Sequence, residues 1–342
     1  MLNKRKAEHL KVCLNKKAEY GGTGFENYGF IHNALPDINK EEIDASIDLF
    51  GKKLDYPIII SAMTGGTALG EKINKNLAIA ANELGIGLGL GSQRIAIEEG
   101  ASLSFKSSLK IREFAPDIFL MSNLGAVQLN NGFNIEECKK IIEMAGADAL
   151  ALHLNPLQEA IQAEGNTNFK DLSKKIKGLC KSLPVPVVAK EVGSGISGEV
   201  AKRLESAGIK AVDVAGSGGT SWSMVENYRS KTNIGESFFG WGIPTSESIS
   251  LVRKSTNLQI IAGGGIRSGI DIAKAIALGA DAASIALPLL KPAALSSEKT
   301  IEALNRYIEE LKITMFCVGA ASVNDLKNTP IYPKNDIMDK FS

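Results

Sequence analysis

The sequence predicts a (β/α)8 TIM barrel, and three observations predict it. Four times a helical periodicity stops at a glycine and runs into a short apolar segment: Gly85 before 86–90, Gly146 before 149–152, Gly208 before 211–215 and Gly279 before 282–286. Glycine is the natural residue just past a helix, where the backbone turns left-handed. Four further apolar runs, at 57–62, 118–122, 186–190 and 258–262, raise the strand candidates to about eight, with helical patterns such as 197–207 and 270–278 between them. These runs are apolar throughout, as parallel strands covered on both faces require. Eight alternating strand and helix units close into a barrel; a doubly wound open sheet is the alternative.

Residues 1–55 are richer in charge and turn residues and read as an N-terminal arm and cap. Residues 56–322 read as the barrel and 323–342, which carry no recognisable motif, as a C-terminal tail. Residues 222–241 read as a long loop after strand six, and loops of that length in a compact domain are often lids.

The bulk numbers suit one large domain: 342 residues, 44% hydrophobic and 23% charged. A net charge of +1 leaves no global field to recruit nucleic acid, so an anionic ligand must be caught by local cations. The opening Met-Leu-Asn-Lys-Arg-Lys is basic without an apolar signal core behind it, and no apolar run approaches bilayer length. Cys13, Cys138, Cys180 and Cys317 are scattered with no CxxC pair. That argues against structural zinc or a disulfide framework and predicts a reducing, cytoplasmic setting.

In a barrel the carboxyl ends of the strands share the face where α/β enzymes hold substrates. Polar residues collect there. Strand one runs into Ser61, Ala62, Met63 and Thr64, strand two into Ser92, Gln93 and Arg94, and strand three into Ser122 and Asn123. Strand four leads to the most informative stretch, His153-Leu-Asn155-Pro-Leu-Gln158-Glu159, which sets an imidazole, two carboxamides and a carboxylate after an apolar run. Strand five ends at Lys190 and strand six at a glycine-rich turn reaching Thr220. Strand seven leads to Gly263-Gly-Gly-Ile-Arg267-Ser-Gly269 and strand eight to Ala286 and Leu287. Glycines there let backbone N–H groups approach a phosphate, and a following helix N-terminus adds positive potential.

Each residue also has a plainer reading. The stretch after strand four could be a capped turn, Lys190 a solvated or ion-paired lysine, and Asn123 and Thr64 ordinary loop residues. Arg94 could bridge loops or hold a second phosphate bidentately. Arg5 and His9 lie four apart on a predicted helix and share a face, with Lys6 beside them. That is either a solvated basic terminus or an anion clamp.

Taken together, the motifs resemble the type 2, FMN-dependent isopentenyl-diphosphate isomerases across nearly the whole chain. The resemblance rests on Arg-Lys-Ala-Glu-His at 5–9, Met-Thr-Gly-Gly at 63–66, Ser-Gln-Arg at 92–94 and His-Leu-Asn-Pro-Leu-Gln-Glu at 153–159. It extends to Lys-Glu-Val-Gly at 190–193, Gly-Gly-Thr-Ser-Trp at 218–222 and Gly-Gly-Ile-Arg at 264–267. It implies that FMN lies on the strand ends, with Ala62, Met63 and Thr64 along the flavin. Ser92, Asn123, Lys190 and Thr220 would touch the ring or ribityl chain. The backbone of Gly264, Gly265, Ile266, Arg267, Ala286 and Leu287 would hold its phosphate. Arg5, Lys6, His9, Ser92, Gln93, Arg94 and Gln158 would bind substrate, and Glu159 a Mg²⁺ on the diphosphate. Gln158, Lys190, His153 and Asn155 would form the catalytic wall.

The implied reaction interconverts isopentenyl and dimethylallyl diphosphate by adding one proton and removing another, with NADPH serving only to reduce the flavin. The resemblance also implies a homo-oligomer of four chains or more. The main rival is a flavin barrel oxidoreductase of the α-hydroxy-acid type, which needs a histidine base near the ring. The chain has only His9, His32 and His153, and the strand-six loop has none. An inosinate-dehydrogenase-like enzyme would need a cysteine in that same loop, and none falls there. A non-catalytic phosphate-ligand sensor would leave Lys190, Gln158 and Glu159 without a task.

Overall fold

The strands expected from the apolar runs form, and they close. In the computed structural model, which describes residues 2–97, 110–230 and 232–334, the barrel strands are β1 (Ile58–Ile60), β2 (Gly87–Gly89), β3 (Leu120–Gly125) and β4 (Ala149–His153). They continue as β5 (Val187–Lys190), β6 (Ala211–Asp213), β7 (Gln259–Ala262) and β8 (Ala282–Ile285). Each pairs in parallel with the next, and β8 pairs with β1, Ala283 opposite Ile58 and Ile285 opposite Ile60. The architecture is a TIM barrel.

The side-chain alternation explains why these runs are mostly apolar. Ile58 and Ile60 point outward into the layer of helices, while Ile59 points into the barrel with Met121, Ala149, Val188, Ala211, Ile261 and Ala282. Both faces are buried, so a polar residue such as Asp213 or Ser284 needs a partner within the protein. Alanine at three of those interior positions suits the narrow lumen. A hairpin before the barrel, Ile47–Leu49 with Lys52–Leu54, carries Leu49 and Leu54 against the same interior cluster, and Phe50 meets Phe119 at 6.0 Å between rings. The end opposite the site is thereby sealed with apolar surface.

The helices start and stop where local chemistry says they should. Ser197 and Ser268 cap the helices Gly198–Ser206 and Gly269–Ala277, and Asn134 with Glu137 makes a capping box for Ile135–Ala145. That last helix ends on Gly146 at φ +60°, the left-handed turn that a glycine makes without strain.

Two segments differ from expectation. Residues 222–241 are not an open loop: Trp222–Arg229 is a helix and Ile234–Phe238 a 3-10 turn, both among the described residues. The buried residues of the helix mix polar Ser223 and Glu226 with Met224 and Val225, so no apolar stripe marks it in the sequence. The last segment contains regular structure among its described residues. Helix Val323–Asn328 carries a capping box from Ser322 and Asp325, and Ile331–Pro333 pairs antiparallel with Tyr28–Phe30. Residues 335–342 of the expected tail lie outside the described residues. Among the described residues no helix is long and apolar enough to cross a membrane.

Candidate active site

A cavity of about 240 Å³ opens at the carboxyl ends of the strands, roofed by the helix Leu2–Asn15. Every site residue expected from the sequence lines it except one.

One half of the cavity is built by strand ends and glycines. Ala62, Met63 and Thr64 follow β1, and Gly91 lets the chain after β2 pass against them, since a Cβ there would lie 2.2 Å from the Thr64 carbonyl oxygen. On the far side, the backbone at Gly264, Gly265 and Ile266 borders the cavity together with Ala286 and Leu287. Among the described residues the amides of Gly264, Gly265 and Ile266 donate no hydrogen bond within the chain. A side chain on Gly219 would put its Cβ 2.4 Å from the Gly265 nitrogen, so glycine leaves that amide uncovered. Unspent amides in a glycine cradle, beside the first turn of helix Leu287–Leu295, fit a phosphate.

Lys190, at the end of β5, brings a cation to the same half. Its Nζ lies 2.8 Å from Oδ2 of Asp213, which is 1% exposed and also accepts from Ser284 Oγ at 3.2 Å. Asn123 and His153 pair across β3 and β4, Oδ1 to Nδ1 at 2.9 Å. A carboxamide oxygen only accepts, so Nδ1 carries the proton. Burial, with Lys190, Lys6 and Arg5 adding positive charge, pushes the His153 pKa down to about 4. The imidazole is neutral at pH 7 and forms part of a polar wall.

The other half is cationic and carboxamide-lined. The arm helix delivers Arg5, Lys6 and His9 on one face. Lys6 Nζ donates to the Ser92 carbonyl at 2.8 Å, and His9 Nε2 meets Glu226 Oε1 at 2.8 Å while packing edge-on to Trp222 at 5.1 Å between rings. Gln158 Nε2 also donates to Glu226 Oε1, at 3.2 Å, and Arg229 pairs with the other Glu226 oxygen. Burial works to raise the Glu226 carboxyl, but His9, Gln158 and Arg229 together hold it below its ordinary value. Glu159, also buried, accepts from Asn155 Nδ2 at 3.1 Å and from the Asn166 amide at 2.6 Å. Asn155 Nδ2 also reaches Gln158 Oε1 at 3.0 Å, while its own Oδ1 is buried with no partner. Desolvation lowers the Arg5 pKa, and nearby Glu159 opposes it.

Gln93 is the exception, and it corrects the expectation that it binds substrate. Its side chain is fully buried outside the cavity, where Oε1 accepts from the Asn123 amide at 3.0 Å and Nε2 reaches the Ile141 carbonyl at 3.4 Å. It ties β2 to β3 while its neighbours Ser92 and Arg94 border the cavity. Lys190 proves to be ion-paired and cavity-lining at once. Sequence reasoning missed Asp213, Glu226 and Gln162. With its amide nitrogen toward Glu226 Oε1 at 3.2 Å, Gln162 takes Arg5 NH1 on its oxygen at 2.9 Å. Asp213 left a signal, one carboxylate inside the apolar run 211–215. Such a group needs a buried partner.

No group of three or more His, Cys, Asp or Glu side chains among the described residues could hold a metal by itself. Glu159 is one cavity-lining carboxylate, a donor set that suits a Mg²⁺ arriving with a diphosphate and not a caged resident ion.

The profile of the FMN-dependent dehydrogenases matches residues 15–107 and 123–333. An isopentenyl-diphosphate delta-isomerase of Thermococcus onnurineus is 48% identical over 340 residues, covering 96% of this chain and 90% of its own length. Enzymes of the same name from Nostoc sp. and Oceanobacillus iheyensis are 46% and 48% identical, covering 95% and 96% of this chain and 94% and 95% of their own. Among solved structures, a mandelate oxidase superposes with TM-score 0.66 at 18% identity, over 97% of this chain and 98% of its own. A putative lactate oxidase of Pediococcus acidilactici gives 0.65 at 18%, over 95% of this chain and 86% of its own. At that identity the structural likeness speaks for the barrel alone. The chain belongs to the FMN-dependent dehydrogenase family and, within it, to the isopentenyl-diphosphate delta-isomerases.

Proposed function

We propose that this protein interconverts isopentenyl and dimethylallyl diphosphate with FMN bound on the strand ends. The observation that supports it best is the division of one cavity. Glycine-cradled amides and Lys190 lie on one side, and Arg5, Lys6, His9, Arg94, Gln158 and Glu159 on the other. Two anionic ligands fit such a site, a flavin mononucleotide and a diphosphate.

Moving the double bond adds a proton to one carbon and removes one from another, and an unactivated alkene is a poor base. Reduced FMN, when bound, supplies the centre that exchanges protons with the alkene. The chain's own residues do the rest. Arg5, Lys6 and Arg94 would hold the diphosphate and Glu159 would hold a Mg²⁺ that offsets its charge, so that binding energy at the remote end orients the alkene. Lys190, held by Asp213, would supply positive charge to a reduced flavin bound in this half of the cavity. Gln158 and His9 converge on the Glu226 carboxylate, a hydrogen-bonded path along which a proton can be held or passed. The arm helix covers the site and excludes water. NADPH as the flavin's reductant, a homo-oligomer and a cytoplasmic setting belong to the same reading and rest on the resemblance.

The α-hydroxy-acid oxidoreductase reading asks for a histidine base. His153, held at a pKa of about 4, is too weak a base for that task, and His9 comes from the arm helix and not from the strand-six loop. The deciding experiment uses the anaerobic protein reduced once, stoichiometrically, in deuterated water. Many turnovers of isopentenyl diphosphate with deuterium in the product are expected. One NAD(P)H consumed for each product would sink the isomerase reading.

A further inference from the structure

Thr245 has no part in the site described so far. It is fully buried, does not border the cavity, and begins the helix Thr245–Ser255. Yet its hydroxyl lies against the two loops that form the glycine cradle. Thr245 Oγ1 is 2.8 Å from the Gly264 carbonyl oxygen, 3.3 Å from that of Ser217 and 3.4 Å from that of Gly263. A hydroxyl has one proton to give, and the shortest contact names Gly264 as the acceptor.

The surrounding backbone is packed around this one side chain. The Gly216 amide donates to the Gly263 carbonyl at 3.1 Å and the Ser217 amide to the Ile243 carbonyl at 2.9 Å, which draws the loop after β6, the loop after β7 and the helix start together. A Cβ on Gly216 would lie 2.5 Å from Thr245 Cα, and one on Gly264 would lie 2.6 Å from Thr245 Oγ1. Gly264 and Gly265 adopt φ +97° and +70°. Two consecutive glycines at positive φ have little local preference to fix the peptide between them. Something outside the loop must fix it.

We propose that Thr245 is a positioning residue for the cofactor's phosphate, its hydroxyl anchoring the Gly264 carbonyl so that the Gly265 N–H faces the cavity. The carbonyl and the N–H of one trans peptide point in opposite directions. Holding Gly264 O toward the buried helix start therefore turns Gly265 N–H the other way, onto the cavity that Gly265 borders and that Gly219 leaves open. The inference rests on the reading of residues 264–267 as the phosphate site.

The test is the preference of the apoprotein for FMN over riboflavin, which lacks the phosphate, read as the ratio of dissociation constants by flavin fluorescence. Wild-type protein that binds both equally would overturn the phosphate site itself. With that preference established, Thr245→Val removes the hydroxyl at nearly constant shape. The FMN preference should fall by about tenfold or more, the loss of one charge-assisted hydrogen bond, while riboflavin affinity stays within a few-fold. Thr245→Ser, which keeps the hydroxyl, should retain the wild-type ratio. Equal loss for both ligands would mean that Thr245 only stabilises the fold, and an unchanged ratio would also overturn the proposal. Should the valine variant not fold, Thr245→Cys decides: its thiol is a weak donor of similar size, and an undiminished FMN preference would count against the anchor.

Discussion

Lys190 and Asp213 form a buried ion pair, Nζ to Oδ2 at 2.8 Å, between the ends of neighbouring strands β5 and β6. The lysine is the half of the pair that borders the cavity. Asp213 is thus the buried counter-charge to the lysine at the proposed flavin site.

Asp213→Asn tests that role. Removing one partner of a buried pair costs about 3 kcal/mol or more, because the other charge is left uncompensated. Apoprotein stability by denaturant titration should fall accordingly. In the FMN-loaded protein the unneutralised Lys190 should favour the anionic reduced flavin, moving the midpoint potential upward. A potential equal to wild type would separate this pair from the flavin.

Glu226 collects His9, Gln158 and Arg229 on one carboxylate. Glu226→Gln keeps the size and removes the charge on which His9 and Gln158 converge. Turnover should fall about 100-fold or more, the usual loss when an acid–base group is removed, with FMN affinity near that of wild type. Wild-type kcat in this variant would show that the network only holds the arm helix in place.

How much of this was legible in the sequence depends on where each residue finds its partners. The eight strands were legible because burial on both faces leaves an unbroken apolar run, a local signal. The cavity-lining residues followed because strand ends converge in any closed barrel. Gln93 was misplaced because sequence neighbourhood cannot say which side of a strand end a side chain takes. Ser92 and Arg94 border the cavity, whereas Gln93 between them binds β3. Glu226 has a local partner in Arg229, but nothing local ties it to the site, since His9 and Gln158 are 217 and 68 residues away. The helix Trp222–Arg229 escaped because its buried residues mix Ser223 and Glu226 with Met224 and Val225 and leave no apolar stripe.

Glu159→Gln addresses the metal. The carboxamide keeps the bond from the Asn166 amide but loses the charge that a hard cation prefers. The Mg²⁺ concentration for half-maximal activity should rise by about tenfold or more, with FMN binding intact. An unchanged Mg²⁺ dependence would place the ion on other groups.

His153 makes a prediction in pH. Its ordinary value is 6.5, and in the fold burial and the nearby cations lower it to about 4. Below pH 6.5 the unfolded chain takes up a proton that the folded protein refuses until near pH 4. The stabilisation is therefore complete above pH 6.5 and is lost as pH falls through that window, to the extent of about 3 kcal/mol at most. Glu191 works the other way. Burial raises its carboxyl to about 7 against the three amides of Val192, Gly193 and Ser194, so its contribution grows as pH falls from 7 toward its ordinary value. A comparison of wild type with His153→Gln cancels the Glu191 contribution, which both proteins share. Unfolding free energies of the two apoproteins, measured by denaturant between pH 4.5 and 7.5, should draw together as pH falls, because only wild type loses the histidine contribution. A gap that stays constant across the window would mean that His153 titrates as an ordinary histidine, and that the wall it forms with Asn123 is open to water.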